Sequence, residues 1–126
     1  MIKPGINNLI TDVDGIFVGN SEDKKDLTGV TVIMPDKRCV ASVDVRGGAP
    51  GTRETELLNP SNSINTIDAI VISGGSVFGL EASSSVTSWL SKQKRGIDVR
   101  GAIIPIVPSA IIFDFPINPK RNWNDA

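Results

Sequence analysis

Hydrophobic and polar positions in the first half of the chain predict strands and turns. Residues 8–19 place apolar residues on both sides of Asp14-Gly15, which predicts two short strands around a turn. Residues 21–27 are polar and predict a loop. Residues 29–35 alternate, and residues 38–46 alternate again, so we expect these two segments to pair as a hairpin with one buried and one solvated face. Cys39 then lies at a buried strand position.

The second half predicts a strand, a helix and further strands. Residues 68–73 form a short apolar run, typical of a central strand covered on both faces. From Phe78 the apolar residues recur at helical spacing, and the opposite face is rich in serine. Residues 101–115 predict one or two further buried strands interrupted by prolines, and a polar end follows. This order indicates an α/β layered fold, with residues 1–126 as a single domain.

Composition narrows the classes of function. The chain has 126 residues, 40% hydrophobic and 21% charged, as in soluble globular domains. With 13 basic and 14 acidic residues, it lacks the clustered positive charge that nucleic acid or an anionic membrane surface requires, so neither is expected as a partner. Lys92, Lys94 and Arg95 suit a helix end. One cysteine and no signal peptide or membrane span lead us to expect a cytoplasmic protein.

The absence of histidine and tyrosine from the sequence restricts the chemistry. This chain alone builds no Ser-His-Asp triad, no Cys-His pair and no histidine zinc site. Asp12 and Asp14 lack the further ligands of a calcium loop, so Asp14 with Gly15 is interpreted as a turn. We predict no metal and no cofactor.

The junction at residues 73–76, Ser-Gly-Gly-Ser, lies between the predicted central strand and the helix. It fails the G-x-S-x-G nucleophile motif by one position, and no lysine follows to make a phosphate loop. Two interpretations stay open. With Ser76 as N-cap, the helix N-terminus could bind an anion or an oxyanion. The simpler alternative, which the local pattern favours, is a tight turn with an ordinary serine cap.

A second candidate region combines charge with flexible backbone. Asp44 and Arg46 leave the predicted strand next to Gly47 and Gly48. A carboxylate and a guanidinium beside such a loop suit a carboxylate or amide ligand. An exposed ion pair of little energetic consequence is an equally good interpretation.

Several segments of the sequence, taken together and in order, indicate a family far more specifically than any one of them does. Residues 8–19, 28–33, 43–60, 72–82 and 108–115 closely resemble the N-terminal part of the L-aminopeptidase/D-esterase family, which includes DmpA-type aminopeptidases, β-peptidyl aminopeptidases and the nylon-oligomer hydrolase. The resemblance implies an α/β/β/α sandwich like that of the N-terminal-nucleophile hydrolases. It also implies a precursor that cuts itself into α and β chains. The new N-terminal Ser or Thr of the β chain attacks the substrate, with its own amino group as base.

The resemblance further implies roles for residues of this chain. The family nucleophile lies downstream of these segments, so we expect an N-terminal fragment or α-chain portion with no catalytic residue of its own and a β chain as partner. Oligomers of αβ units and a peptide or amide substrate are implied as well. We expect a substrate pocket or oxyanion side at Gly74, Gly75, Ser76, Phe78 and Phe113, where some relatives carry Tyr in place of Phe113. Loop shaping is expected from Asp44, Arg46, Gly47 and Gly48.

Two other functions remain alternatives at this stage. One is a small α/β module that binds phosphate or another anion at the helix N-terminus near Ser76. The other is a remnant that does not fold alone and aggregates through an uncovered apolar face.

Overall fold

The computed structural model describes residues 3–114 and has a mixed α/β fold. A five-stranded sheet has the order β1–β2–β4–β7–β3, and β5 and β6 form a separate two-stranded hairpin. The elements are β1 (Ile16–Asp23), β2 (Thr28–Pro35), β3 (Thr52–Arg53), β4 (Ile70–Ser73), α1 (Glu81–Lys92), β5 (Ile97–Val99), β6 (Ala102–Ile104) and β7 (Ser109–Ile111).

The first predicted strand is wrong, whereas the turn at Gly15 and the strand after it are confirmed. Ile10–Asp12 is a turn of 3-10 helix instead. The Asp12 carboxylate accepts hydrogen bonds from the side-chain amide of Asn7 at 2.8 Å and from the backbone N–H groups of Asn7 and Leu9. These bonds, chiefly that from the Asn7 side chain, lower the pKa of Asp12. Such local side-chain bonds compete with strand pairing.

The hairpin predicted between residues 29–35 and 38–46 is also wrong. β2 is paired on both sides, with β1 and with β4, so no edge is left for another strand. Cys39 makes an isolated antiparallel bridge to Ile67 and is exposed, not buried. Beyond that bridge, residues 40–46 make no backbone hydrogen bond to any other part of residues 3–114.

The predicted central strand and helix are both confirmed, with one correction. β4 lies between β2 and β7, and a 3-10 turn, Ser76–Leu80, leads into α1. The core lies between α1 and one face of the sheet, and its fully buried residues are Ala69, Val71, Leu90 and Val107. The other face is not covered to the same extent, since Ile72 is 38% exposed. The prediction that β4 is covered on both faces is therefore wrong.

A buried carboxylate at the amino end of β4 ties distant segments together. Asp68 is fully buried, and its Oδ1 lies 3.2 Å from Arg38 Nε and 3.6 Å from Arg95 Nε. Its Oδ2 accepts a hydrogen bond from the backbone N–H of Ile106 at 2.9 Å. α1 ends at Lys92, as the basic cluster predicts, but Arg95 has a further role in this buried ion pair.

The last described elements are partly as predicted. β6 and β7 lie on either side of residues 105–108, in agreement with the break expected at the two prolines. β5 was not predicted. Phe115 and the polar end lie outside the described residues. No helix within residues 3–114 has both the length and the apolar character needed to cross a membrane.

Candidate functional site

The Ser-Gly-Gly-Ser junction lies at the carboxyl edge of the two parallel strands β4 and β7. The Ser73 carbonyl accepts a hydrogen bond from the N–H of Ile112 at 2.8 Å, and the Ile112 carbonyl accepts one from the N–H of Ser76 at 3.1 Å. Ligands of open α/β sheets commonly bind beyond the carboxyl ends of parallel strands. The location therefore suits a binding site, with the junction fixed to the end of β7.

Asp114 organises this edge, and sequence reasoning missed it. Asp114 is buried, with 8% of its surface exposed. One carboxylate oxygen accepts the Thr28 hydroxyl at 2.6 Å, and the other accepts the N–H of Gly75 at 2.8 Å. Asp114 thereby joins β2, the junction and the end of β7. The sequence signal for this role is that Asp114 is the single carboxylate in the apolar run of residues 110–115. A charge buried in such a run needs hydrogen-bond partners.

These bonds argue against an anion site at the junction. The N–H of Gly74 donates to the Gly29 carbonyl at 2.9 Å, that of Gly75 to Asp114 and that of Ser76 to Ile112. An anion-binding helix N-terminus needs such groups free to point at the ligand. Here all three are engaged, and a carboxylate already occupies the position next to them.

The expected N-cap role of Ser76 is wrong. The residue before the 3-10 turn is Gly75, with a φ of +89°, and the Ser76 side chain makes no capping hydrogen bond. Ser76 itself has a φ of +53°, a left-handed conformation unusual for a residue with a side chain. Such backbone strain is often found at functional sites.

Two glycines here are required by space and not by conformation. A methyl group on Gly74 would overlap the Thr28 hydroxyl and the Asp114 carboxylate, and one on Gly79 would overlap the Gly74 carbonyl oxygen. The Ser73 hydroxyl donates to the same carbonyl at 2.9 Å. A carbonyl cannot take the proton of a hydroxyl, so this bond does not activate Ser73 as a nucleophile.

A cleft of about 550 Å³ lies between the junction and the tip of the β1–β2 hairpin. Gly74, Gly75 and Phe78 line it together, whereas Ser76 does not. The hairpin tip adds Glu22, Asp23 and Lys24, of which Lys24 pairs with Glu22 at 3.2 Å, and the start of α1 adds Glu81. The arrangement combines the apolar side chain of Phe78 with a net negative charge, next to glycine backbone that is already hydrogen-bonded.

The second group of predicted residues lies in a different place. Asp44 and Arg46 form an ion pair of 2.6 Å, with side chains 67% and 85% exposed. They line a separate groove of about 410 Å³, which Phe113 also lines. Gly47 and Gly48 are exposed and have open space around them. The structure therefore groups Asp44, Arg46 and Phe113, but does not join the first two to the junction.

Changing Asp114 to alanine is expected to lower the free energy of unfolding by about 1–3 kcal/mol, because it leaves the buried Gly75 N–H and the Thr28 hydroxyl without an acceptor. Urea denaturation followed by circular dichroism measures the change. The control is Asp44→Ala, which removes an exposed carboxylate and should shift the free energy by less than about 0.5 kcal/mol. Equal urea midpoints for Asp114→Ala and the unmodified chain would show that this contact stabilises nothing.

Comparison with known proteins places these observations in context. A model described as peptidase family S58 matches residues 8–126. An uncharacterized aminopeptidase of Mycobacterium tuberculosis is 45% identical over 125 residues, covering 93% of this chain and 36% of that protein. A 6-aminohexanoate-oligomer endohydrolase of Kocuria sp. is 33% identical over 124 residues, covering 96% of this chain and 32% of that protein. The chain thus spans about a third of the length of these relatives.

Proposed function

This chain belongs to peptidase family S58, and on that premise we propose that it forms the N-terminal part of a self-processing aminopeptidase or amidohydrolase. The match over residues 8–126 is the observation that carries the proposal, and family membership confirms the resemblance seen in the motif segments. The complete enzyme cleaves amide bonds by acyl transfer to a Ser or Thr at the N-terminus of a downstream β chain. Water then hydrolyses the resulting ester.

Within this enzyme, residues of this chain bind the substrate, and the nucleophile that reacts with it belongs to the β chain. A nucleophile whose own α-amino group acts as base needs no histidine, which fits a sequence that has none. The junction cleft supplies Gly74, Gly75 and Phe78 for contact with the substrate. Its hydrogen bonds hold these residues in place before the substrate arrives, and such preorganisation limits the entropy lost on binding.

The uncovered face of the sheet supports the sandwich fold that we propose for the complete enzyme. A sheet with one face on a helix and the other open to water needs a further layer to bury its apolar residues. In the proposed enzyme that layer is a second sheet, contributed largely by the β chain, and it completes the α/β/β/α sandwich. Assembly of αβ units into oligomers is part of the same proposal.

The substrate class is an amide with a free amino group. The name of the aminopeptidase relative supports the amino group, and that of the 6-aminohexanoate-oligomer endohydrolase supports the amide. Glu22, Asp23 and Glu81 outnumber Lys24 around the junction cleft, and this net negative charge suits a substrate ammonium group. The proposal includes peptides and linear amides.

Activity assays test the division of roles directly. The purified 126-residue chain, incubated with an aminoacyl p-nitroanilide and with 6-aminohexanoate dimer, should release no product above the buffer rate. Release that stays constant per milligram of chain through two further orthogonal purification steps would overturn the proposal. A contaminating hydrolase would instead be lost across those steps.

A further inference from the structure

Residues 40–46 have the sequence of a β-strand but no strand partner in residues 3–114. They include three valines and no proline, and none of them has a positive φ. β-branched residues favour strands, and negative φ values are compatible with one. No backbone N–H or C=O group of these residues makes a hydrogen bond to a described residue. Such a row of unbonded backbone groups is a template for another strand, and we call residues 40–46 the free segment.

Both ends of the free segment are fixed. Before it, the N–H of Cys39 donates to the Ile67 carbonyl at 3.3 Å, and the N–H of Ile67 donates to the Cys39 carbonyl at 2.9 Å. After it, the Gly51 carbonyl accepts the N–H of Ile111 at 3.0 Å. Between these anchors, residues 41–46 line the groove of about 410 Å³ together with residues of the uncovered sheet face. Ordering the free segment as a strand therefore costs less entropy than ordering a loop with free ends.

The side chains of the free segment divide into an apolar and a polar face, because successive side chains of a strand point to opposite sides. As a strand, the segment places Ala41, Val43 and Val45 on one face, and the two valines are 45% and 40% exposed. The other face carries Val40, Ser42, Asp44 and Arg46. The exposed ion pair of Asp44 and Arg46 suits contact with water on that face. A partner strand with apolar residues at every second position buries the first face.

The bridge to Ile67 determines which edge of the free segment is open. In a strand, the N–H and C=O groups of one residue point to the same edge, and those of the next residue point to the opposite edge. Cys39 directs both of its groups to Ile67. Continued as a strand, the segment directs a second set of backbone groups to the opposite edge, where they bond to no described residue. This set belongs to Val40, Ser42, Asp44 and Arg46.

We propose that residues 40–46 become a β-strand by pairing, along this open edge, with an extended segment of the polypeptide that follows residue 126. The pairing is a β-strand addition, in which main-chain hydrogen bonds give affinity and alternate side chains give specificity. The added segment lies in the second sheet of the proposed enzyme. The free segment thereby joins this chain to that sheet by backbone hydrogen bonds, in addition to the contact between sheet faces.

This inference rests on the proposed function, because that proposal supplies the partner. The match covers 36% of the Mycobacterium tuberculosis relative, so about two thirds of a protein of that length lies outside it. The chemistry of the open edge favours a strand as its occupant. A small ligand satisfies one or two backbone groups, whereas a strand satisfies the donors and acceptors of the whole edge.

Hydrogen–deuterium exchange tests the pairing residue by residue. The 126-residue chain and the complete enzyme from its native source are compared by mass spectrometry with electron-transfer fragmentation. In the 126-residue chain, the amides of Ser42 and Asp44 should exchange at the rate of an unstructured peptide. In the complete enzyme, they should exchange at least about 100-fold more slowly. The amides of Val43 and Val45 face the other edge and should slow by less.

Two proline variants separate the open edge from the other edge. Ser42→Pro removes an N–H that points to the proposed partner, and Val43→Pro is the matched control that removes one pointing away from it. In the 126-residue chain neither N–H is bonded, so both variants should keep the urea midpoint of the unmodified chain. In the complete enzyme, Ser42→Pro should lower the Tm by about 2 °C more than Val43→Pro, since it alone loses a hydrogen bond.

The exchange comparison needs no variant, so it stays decisive if Ser42→Pro does not fold. Equal exchange of Ser42 and Asp44 in the two samples, with the second polypeptide present, overturns the inference and leaves the proposed function intact. Protection in the 126-residue chain that rises with its concentration also overturns the inference, because the partner is then a second copy. An intact mass without sequence beyond residue 126 overturns the proposed function itself, since it removes the partner.

Discussion

Replacing Asp68 with alanine is expected to lower the free energy of unfolding by about 3–5 kcal/mol, the usual effect of removing one partner of a buried ion pair. The carboxylate is fully buried, while the side chains of Arg38 and Arg95 are 29% and 20% exposed. Without Asp68 both guanidinium groups stay largely buried and lose their counter-ion. A small domain has only about 5–15 kcal/mol of stability in total, so a large part of it is lost.

Neither arginine can move away without a further cost. Arg38 also donates to the Thr66 carbonyl at 3.1 Å, and Arg95 donates to the Pro35 carbonyl at 2.6 Å. Both side chains are therefore held close to the position that Asp68 would leave empty. Their partial exposure lets water compensate some of the charge, which places the expected loss nearer the lower end of the range.

Urea unfolding of Asp68→Ala, Asp68→Asn and Asp44→Ala separates the contributions. Asp68→Asn keeps an oxygen that can accept the Ile106 N–H but loses the charge, so its loss should lie between those of the other two. Asp44→Ala breaks an exposed pair with Arg46 and should cost less than about 0.5 kcal/mol. Similar urea midpoints for Asp68→Ala and Asp44→Ala would contradict a stabilising role for the buried pair.

Gly79→Ala is the second change with a large expected effect, a loss of about 3 kcal/mol from overpacking. The added methyl group would overlap the carbonyl oxygen of Gly74 and lie 2.9 Å from the Ser73 hydroxyl oxygen. The junction cannot shift to make room, because the N–H of Gly74 is bonded to Gly29 and the N–H of Gly75 to Asp114. The strain therefore falls on the backbone that forms the candidate site.

Gly19→Ala is the matched control for this prediction. Gly19 lies in β1, and a methyl group there meets no atom within 4 Å. Alanine is a slightly better strand residue than glycine, so the control should be neutral or slightly stabilising. Differential scanning calorimetry of both variants gives the comparison. If Gly79→Ala and Gly19→Ala unfold at the same temperature, the junction is more adaptable than its hydrogen bonds indicate.

The elements that sequence could predict are those defined by local pattern. The turn at Gly15, the alternating residues of β2 and the helical spacing of α1 each depend on residues close in the chain. Residues 38–46 have the alternation of a strand, but apart from the Cys39–Ile67 bridge they pair with no segment of residues 3–114, because β4 occupies the edge of β2 that they would need. The local pattern does not determine which strands pair when they are distant in the chain.

The candidate site could be predicted in position but not in detail. The glycines of the junction indicated the cleft, and Gly74, Gly75 and Phe78 do line it together. One interpretation of the sequence was that the backbone at this junction binds an anion or an oxyanion. In the structure the N–H of Gly75 is instead bonded to Asp114, a residue 39 positions away. Asp44 and Arg46 are close in sequence to a glycine loop, but their side chains lie in another groove.

Intact-mass spectrometry under denaturing conditions, applied to the protein purified from its native source, tests the central claim most directly. If the chain is the N-terminal part of a self-processing hydrolase, the sample contains this chain's sequence within one polypeptide and a second polypeptide that copurifies with it. The second polypeptide should begin with Ser or Thr. Amide hydrolysis should be observed only when both polypeptides are present. An active sample made of a single uncut polypeptide would contradict the account.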